Sequence, residues 1–158
     1  MAKVNRTINI ENARIMFRNF SGREGKFNKE GVRSFAVLLN DPDLVRELEE
    51  EGWNVKYLNP RDEGDEPQPF LSVSVTFGDY PPKVYLVTSK KKTLMTAETI
   101  GSLDYAEIDN VDLIIRPYNW EVRGETGVKA YLKTMYVTVV EDDFAEKYAD
   151  LDDEYSTY

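Results

Sequence analysis

The chain of 158 residues contains no cysteine and no histidine. Without cysteine it can form neither disulfides nor thiolate metal sites, and without histidine it lacks the commonest zinc ligand and the usual general base at neutral pH. No apolar run approaches the roughly 20 residues of a membrane-spanning helix, and the first residues lack the apolar stretch of a signal peptide. We therefore expect a soluble cytoplasmic protein with no cofactor, no bound metal and no membrane partner.

Positive charge is in the minority, since the net charge is −9 at pH 7. An acidic balance disfavours nucleic-acid binding, because phosphate backbones repel acidic surfaces. However, residues 141–158 carry eight acids and one lysine, a net charge of −7, so the rest of the chain carries only −2. Residues 1–33 carry eight Lys or Arg against three Glu. The chain is therefore basic at its start and acidic at its end.

Alternating apolar and polar residues, rich in β-branched and aromatic types, predict seven strands. Their bounds are about 5–18, 33–39, 53–58, 70–77, 83–89, 111–122 and 128–140. A helix is predicted between Pro42 and Glu51, with Asp41 as the N-cap and Gly52 as the stop. A second short helix is predicted within 97–106, although Gly101 disfavours it.

The connecting segments indicate one folded domain over residues 1–140. Residues 59–69 are rich in proline and acids and predict an exposed loop, and residues 123–127 predict a hairpin turn. Seven strands and one connecting helix fit a mainly β fold, an OB-like Greek-key barrel, because closing a sheet removes its edges. Residues 141–158 lose any apolar period, so we expect a disordered acidic C-terminal tail.

Basic and aromatic residues are interleaved near the start of the chain, where they could contact phosphates and stack on bases. Alternation places Arg14, Met16 and Arg18 on one strand face, and a loop follows that joins the first two strands. The candidate DNA-binding residues of this region are Arg14, Arg18, Phe20, Arg23, Lys26, Phe27 and Arg33. The alternative is a solvated hairpin whose two phenylalanines pack into the end of the barrel.

A second group of candidates lies on the last two long strands, where successive side chains alternate between faces. Val111, Leu113 and Ile115 point one way, and the opposite face carries cations and rings. The candidates are Arg116, Tyr118, Trp120, Lys129, Tyr131 and Lys133, provided that the register sets both strands' residues on the same side. Alternatively, Tyr118 or Trp120 belongs to the core, since aromatics are common in strands.

Two further charged groups are weaker candidates. Lys90, Lys91 and Lys92 form a run that could extend a phosphate track, but a lysine run in a turn is more often merely solvated. The acids Asp104, Glu107, Asp109 and Asp112 have no spacing that favours Mg²⁺ coordination, so we expect a solvated acidic surface there.

The tail combines dense acids with aromatic residues. It could compete electrostatically with DNA for a basic groove, or offer aromatic anchors to the basic, apolar pocket of a partner. The candidate partner-binding residues are Asp152, Asp153, Glu154, Tyr155 and Tyr158. A tail that only increases solubility is the alternative.

Three segments resemble phage and prophage proteins of Gram-positive bacteria, particularly actinobacteria. They are IENARIMFRNFSGREGKFN at 10–28, GWNVKYLNPRDEGDEP at 52–67 and VDLIIRPYNWEV at 111–122. The pattern is similar to phage single-stranded DNA-binding proteins related to the T7 type, which have an OB fold and an acidic tail ending in an aromatic residue. This chain departs slightly from that pattern, because its tail ends in tyrosine instead of phenylalanine and because Ser156 and Thr157 dilute the final charge.

The resemblance implies sequence-independent binding of single-stranded DNA in phage replication and recombination, in the cytoplasm of a bacterial host cell. It further implies that the tail contacts phage or host replication proteins, and that the chain could form a homodimer. A phage-encoded DNA mimic that inhibits a host nuclease or defence system is the alternative, but it would need acids spread over one folded face. We do not expect an enzyme.

Overall fold

The computed structural model describes residues 3–26, 29–60, 62–89 and 91–141. It contains one α-helix, α1 at Pro42–Glu51, and one 3₁₀ helix at Ile100–Asp104 in these ranges. The strands are Ile8–Ile10 (β1), Ile15–Asn19 (β2), Arg33–Leu38 (β3), Val55–Leu58 (β4), Gln68–Val75 (β5), Lys83–Val87 (β6), Lys92–Met95 (β7), Ile108–Val122 (β8) and Glu125–Val139 (β9). The prediction of a mainly β fold with one connecting helix is confirmed.

Helix α1 follows its local sequence signals from end to end. The Asp41 carboxylate accepts hydrogen bonds from the main-chain N–H groups of Asp43 and Leu44, as an N-cap does. Gly52 ends the helix with φ = 96°, a left-handed conformation that glycine adopts without a steric penalty. Val45 and Leu48 are buried, so the helix closes one end of the sheet core.

The strands form one mixed sheet whose main path runs β1-β8-β9-β5-β3-β2. The two longest strands, β8 and β9, pair antiparallel along nearly their whole length. The other edge of β9 is divided, because β5 pairs with it in parallel at 130–131 and β6 pairs with it in parallel at 134–138. The path is open at β1 and β2, as is compatible with an OB fold, which is itself a partly open barrel.

The core lies between the inward-facing residues of these strands and α1. Val111, Leu113 and Ile115 of β8 are buried, and their side chains alternate with outward-facing residues as predicted. The core continues through Val73 of β5 and Phe35 of β3. Burying each such side chain stabilises the fold by about 1.5–3 kcal/mol, which fixes which face of every strand is left for solvent.

A bulge in β9 keeps its faces in phase with this core. Ile115 pairs with Leu132 and Ile114 pairs with Thr134, so Lys133 is an extra residue without a partner across the ladder. Because the alternation is shifted by one residue there, Met135 is buried and Tyr136 faces outward. The outward-facing residues of β9 on both sides of the bulge therefore belong to the same surface.

Three predictions about the elements need correction. The single strand predicted at 5–18 is two strands, β1 and β2, which pair with β8 and β3 respectively. Lys92 does not lie in a turn, because it begins β7, which pairs with β6. The second helix, predicted within 97–106, forms as a 3₁₀ helix at Ile100–Asp104.

Candidate nucleic-acid interface

Outward-facing side chains from five strands form one row across the sheet. Asn19 of β2 pairs with Ser34 of β3, Ser34 pairs with Ser74 of β5, and Ser74 pairs with Tyr131 of β9. Tyr131 pairs with Arg116 of β8. Because paired residues point to the same side of a sheet, this row, which we call the serine row, defines an outer face of the sheet. Its small serine side chains leave the strands accessible.

The register of β8 and β9 satisfies the condition on which the second group of candidates depended. Tyr118 pairs with Lys129, and Trp120 pairs with Gly127, so these residues share the outer face with Arg116 and Tyr131. Lys133 is exposed at the bulge of the same strand. Tyr118 is 47% exposed and Trp120 is 36% exposed, so neither belongs to the core.

Tyr118 and Tyr131 form what we call the first tyrosine stack. Their ring centroids are 5.0 Å apart and the planes are inclined by only 5°. The Arg116 guanidinium carbon lies 4.9 Å from the Tyr131 ring centroid, and the Lys129 ammonium nitrogen lies 5.6 Å from it. Cations over aromatic faces are held by the ring quadrupole, so positive charge and stacking surface are fixed side by side.

Trp120 lies flat against the main chain of the neighbouring strand. A Cβ atom at Gly127 would come within 2.5–2.8 Å of Cζ2, Cε2 and Nε1 of the indole. Only glycine leaves room for the ring in this position. Gly127 therefore fixes where Trp120 presents its other ring face.

A groove of about 460 Å³ opens beside Trp120, where β4 and β9 separate along the same edge of β5. Lys56 and Lys129 line it as cations, and Asn54, Ser72 and Thr126 line it with polar groups. Lys129 lines the groove and also lies over the Tyr131 ring, so the groove and the first tyrosine stack are adjacent. It has the mixture of cations, rings and polar groups that contacts phosphates and bases in single-stranded nucleic acids.

Phe20 is not available to a base, which corrects one prediction. Its side chain is 0% exposed and its ring stacks on Phe35 with centroids 5.2 Å apart. The alternative interpretation, in which a phenylalanine of this loop packs into the barrel, holds for Phe20. Phe27 lies outside the described residues.

Arg18 and Arg33 have structural partners. Nη1 of Arg18 donates to the main-chain oxygens of Leu103 and Ala106, both at 2.8 Å. Nε of Arg33 donates to the Phe20 oxygen at 2.9 Å, and its Nη2 donates to the Ala97 oxygen at 3.2 Å. These guanidinium groups anchor the base of the loop at 20–32, so their role as phosphate ligands is not favoured.

The predicted face of Arg14, Met16 and Arg18 is interrupted. Strand β2 has a bulge between Met16 and Asn19, and Phe17 within it has φ = 53°, which is rare for a bulky residue. Because the bulge breaks the alternation, Arg18 turns towards the 3₁₀ helix instead of sharing a face with Met16. Arg14 precedes β2 and is exposed.

The remaining cations of the loop are exposed at the end of the serine row. Arg23 donates from Nη1 to the Tyr105 hydroxyl at 3.1 Å, and its guanidinium lies over that ring. Asp104 holds the start of the loop, because its carboxylate accepts hydrogen bonds from the N–H groups of Phe20 and Ser21 and from the Ser21 hydroxyl. Lys26 is exposed as well. The loop therefore presents Arg23 and Lys26 from a fixed base.

Two aromatic groups were missed from the sequence. Phe17 and Phe70 meet edge to face at 6.1 Å on the outer face, and Phe17 is exposed only because of the β2 bulge. Tyr85 and Tyr136 form a second stack, beneath Lys92. The alternation of Met135, Tyr136 and Val137 could have indicated that Tyr136 faces outward. No feature of the sequence indicated that β9 pairs with β6 at this position.

Acidic residues collect around α1, at the other side of the groove. Arg6 bridges Glu47 and Glu51 at 3.4 and 3.0 Å, and the Tyr57 hydroxyl donates to Glu49 at 2.6 Å. The Glu49 carboxylate that accepts this bond raises the pKa of Tyr57 above its ordinary value of 10.0. This negative region borders the groove and disfavours a phosphate path over the helix.

Other predictions concern absences or the tail. No helix in the described ranges has the length and apolarity to span a bilayer. Within the same ranges, no three acidic side chains are grouped so as to hold a metal ion. The candidates Asp152, Asp153, Glu154, Tyr155 and Tyr158, like Lys90, lie outside the described residues.

Comparisons with known proteins identify one family and a similar fold. The family model described as "Putative phage ssDNA-binding domain" matches residues 1–156. The fold resembles the single-stranded DNA-binding protein from bacteriophage Enc34 with a TM-score of 0.56 at 16% identity, covering 94% of this chain and 89% of that one. The same Enc34 protein in complex with ssDNA gives a TM-score of 0.56 at 15% identity, covering 87% of this chain and 89% of that one.

A weaker structural likeness extends to gp2.5, a single-stranded DNA-binding protein encoded by bacteriophage T7. Its TM-score is 0.43 at 13% identity, with 93% of this chain and 94% of that chain covered. No curated protein matches the chain in sequence.

Proposed function

Because the chain belongs to this phage ssDNA-binding domain family, we propose that it binds single-stranded DNA, independently of sequence, through the outer face of β8 and β9. The observation that carries the proposal is the first tyrosine stack with Arg116 and Lys129 over its ring. Stacking on an aromatic ring contributes about 1–3 kcal/mol per base and accepts every base, because each has a π face. Such a function requires no catalytic group.

The binding residues that we propose are Arg116, Tyr118, Trp120, Lys129, Tyr131 and Lys133, joined by Arg23 and Lys26 on the loop side and by the exposed Arg14 at the opposite end of β2. The serine row supports this set, because it connects the start of the loop to Tyr131 along one face. The groove beside Trp120 adds Lys56, which the sequence did not indicate as a candidate.

Fluorescence anisotropy of a labelled oligo-dT tests the proposal. We expect salt-sensitive binding by the full chain, poor competition by duplex DNA, and a loss of affinity in the Tyr118→Leu and Trp120→Leu variants. Tyr57→Leu is the matched control, because Tyr57 is 48% exposed but lies beside the acidic helix. If the full chain fails to bind oligo-dT, the proposed function is wrong.

The acidic tail, residues 141–158, forms the second part of the proposal. Its net charge of −7 supports competition with DNA for the same cations, and Asp152, Asp153, Glu154, Tyr155 and Tyr158 would contact replication or recombination proteins of the phage or its host. The N–H and hydroxyl groups of Ser89 donate to Glu141 at 3.0 and 2.8 Å. A truncation should therefore end at Glu141, which keeps both bonds, and we expect it to bind oligo-dT more tightly than the full chain.

Two further predictions accompany this function. We predict that the chain forms a homodimer. Sedimentation equilibrium over a concentration series measures its molecular mass, and a monomer mass at every concentration would exclude the dimer. The DNA-mimic alternative is not favoured by the family. It would require that the full chain bind a nuclease rather than oligo-dT.

A further inference from the structure

Tyr85 of β6 and Tyr136 of β9 form what we call the second tyrosine stack. The two residues are direct partners in the parallel pairing of their strands. Their ring centroids are 5.0 Å apart and their planes are inclined by 15°. Lys92, from the neighbouring strand β7, places its ammonium nitrogen 4.7 Å from the Tyr85 ring centroid and 5.8 Å from that of Tyr136.

The arrangement repeats the chemistry of the first tyrosine stack with residues from different strands. Both pairs have a centroid distance of 5.0 Å, and both have a cation over the rings. Tyr136 is 37% exposed, so the second stack is accessible to a ligand. Lys92 adds positive charge to this accessible pair of rings, which is the combination that contacts the phosphates and bases of a single strand.

Strand β9 carries one tyrosine of each stack, Tyr131 and Tyr136, on the same surface. The bulge at Lys133 is what keeps them there, because strict alternation would turn residues 131 and 136 to opposite faces. Their partners on β8, Arg116 and Asp112, are four residues apart, which corresponds to about 13–14 Å. Nucleotides follow one another at about 3.4 Å along one stacked strand, so about five nucleotides, joined by four steps, would bridge the two stacks.

The charges around the second stack indicate on which side a strand would pass. Lys83 and Lys92 are exposed on β6 and β7. On the β8 side, Asp112 is the partner of Tyr136, and its carboxylate accepts hydrogen bonds from the Asn12 N–H and the Asn110 amide. Phosphates are therefore favoured over β6 and β7 and disfavoured over β8.

We propose that the second tyrosine stack, with Lys92, is a further stacking site for single-stranded DNA that extends the path from the first stack along β9. This inference rests on the proposed function. It predicts that the bound strand runs past Lys133 and turns towards β6 and β7. A path of this length lies within the roughly 4–16 nucleotides that one OB fold binds.

The test compares labelled dT3, which is too short to reach from one stack to the other, with dT16, which spans both. We expect the Tyr85→Leu/Tyr136→Leu variant to lose at least about fivefold in affinity for dT16, since one stacked base is worth that much, and to remain within about twofold for dT3. Tyr57→Leu, the matched control, should leave both affinities unchanged. Thermal unfolding of each variant shows whether the fold is retained.

Lys92→Gln provides a second variant that leaves both rings in place. It should reduce the slope of log affinity against log salt for dT16 by about 0.7, the value for one phosphate contact to a single strand, and leave the slope for dT3 unchanged. An unchanged dT16 slope, together with unchanged dT16 affinity in the double variant, overturns the second site. Equal losses for dT3 and dT16 also overturn it, because the stack would then not be a separate extension.

The two proposals fail in different ways. If the unaltered chain binds neither oligonucleotide, the proposed function is wrong and the second site falls with it. If the chain binds both, and the Tyr118→Leu and Trp120→Leu variants weaken binding whereas the Tyr85→Leu/Tyr136→Leu and Lys92→Gln variants do not, the proposed function stands and the second site is wrong.

Discussion

Replacing Gly127 by alanine tests whether the position of Trp120 matters for binding. The added Cβ would lie 2.5 Å from Cζ2 of the indole, whereas carbon atoms in ordinary contact are about 3.5–4.0 Å apart. The ring must therefore retreat by about 1–1.5 Å or rotate away from the strand. Because Gly127 has no positive φ, alanine fits the backbone itself, and the effect is confined to the neighbouring ring.

We expect Gly127→Ala to weaken oligo-dT binding by up to the full contribution of one stacked base. That contribution is about 1–3 kcal/mol, or about 5- to 150-fold in affinity, measured by anisotropy at fixed salt. The free energy of unfolding in urea should change little, because alanine also restricts the unfolded chain by about 0.4–1 kcal/mol. Gly78→Ala is the control, since its Cβ would meet only Thr76 Cγ2 at 3.9 Å.

A double-mutant cycle separates this mechanism from a general change in the hairpin. In the Trp120→Leu background, Gly127→Ala should cause no further loss of affinity, because the ring that it displaces is already absent. An undiminished loss in that background would refute the reasoning, as would wild-type affinity in Gly127→Ala alone.

Three other results are expected. Arg33→Met should lower the free energy of unfolding by about 1.5–3 kcal/mol, because two charged hydrogen bonds to main-chain oxygens are lost. The same variant should leave the affinity for oligo-dT nearly unchanged. A loss of affinity without a loss of stability would instead show that Arg33 binds DNA. Arg116→Gln and Lys129→Gln should each reduce the salt slope of binding by about 0.7, and a slope equal to that of the unaltered chain would exclude a phosphate contact. The pKa of Tyr57 is raised, so its hydrogen bond to Glu49 should persist below pH 10.0 and be lost as the pH rises through the folded-state value. A difference ultraviolet titration of the chain against Tyr57→Phe measures this, and Glu49→Gln should lower the midpoint.

The sequence predicted those features whose signals are local. The N-cap, the first-position proline and the final glycine of α1 are all within the segment that forms the helix, so its bounds could be predicted. Alternation in β8 likewise predicted that Arg116, Tyr118 and Trp120 face away from Val111 and Ile115. Whether β9 presents Lys129 and Tyr131 on that same face depended on the register, which only the structure supplies.

The features that were missed depend on contacts between distant segments. The positive φ of Phe17 is imposed by the bulge against β3, and no residue type near it indicates such a bulge. Phe20, a DNA-binding candidate for which packing into the barrel was the alternative, is buried against Phe35 of β3. The second tyrosine stack requires a parallel pairing between residues 85 and 136. The alternation within each strand does not indicate which strand lies beside it.

The unpartnered Lys133 has a consequence for comparing this chain with its relatives. Deleting one residue at that position would reverse the alternation in the rest of β9. Met135 would then face outward and Tyr136 inward, and every later residue would likewise change faces. At identities near 15%, an alignment that places a gap a few residues away from Lys133 would match core positions to surface positions. Relatives should therefore be aligned by the phase of burial along β9, with insertions and deletions assigned to the bulge.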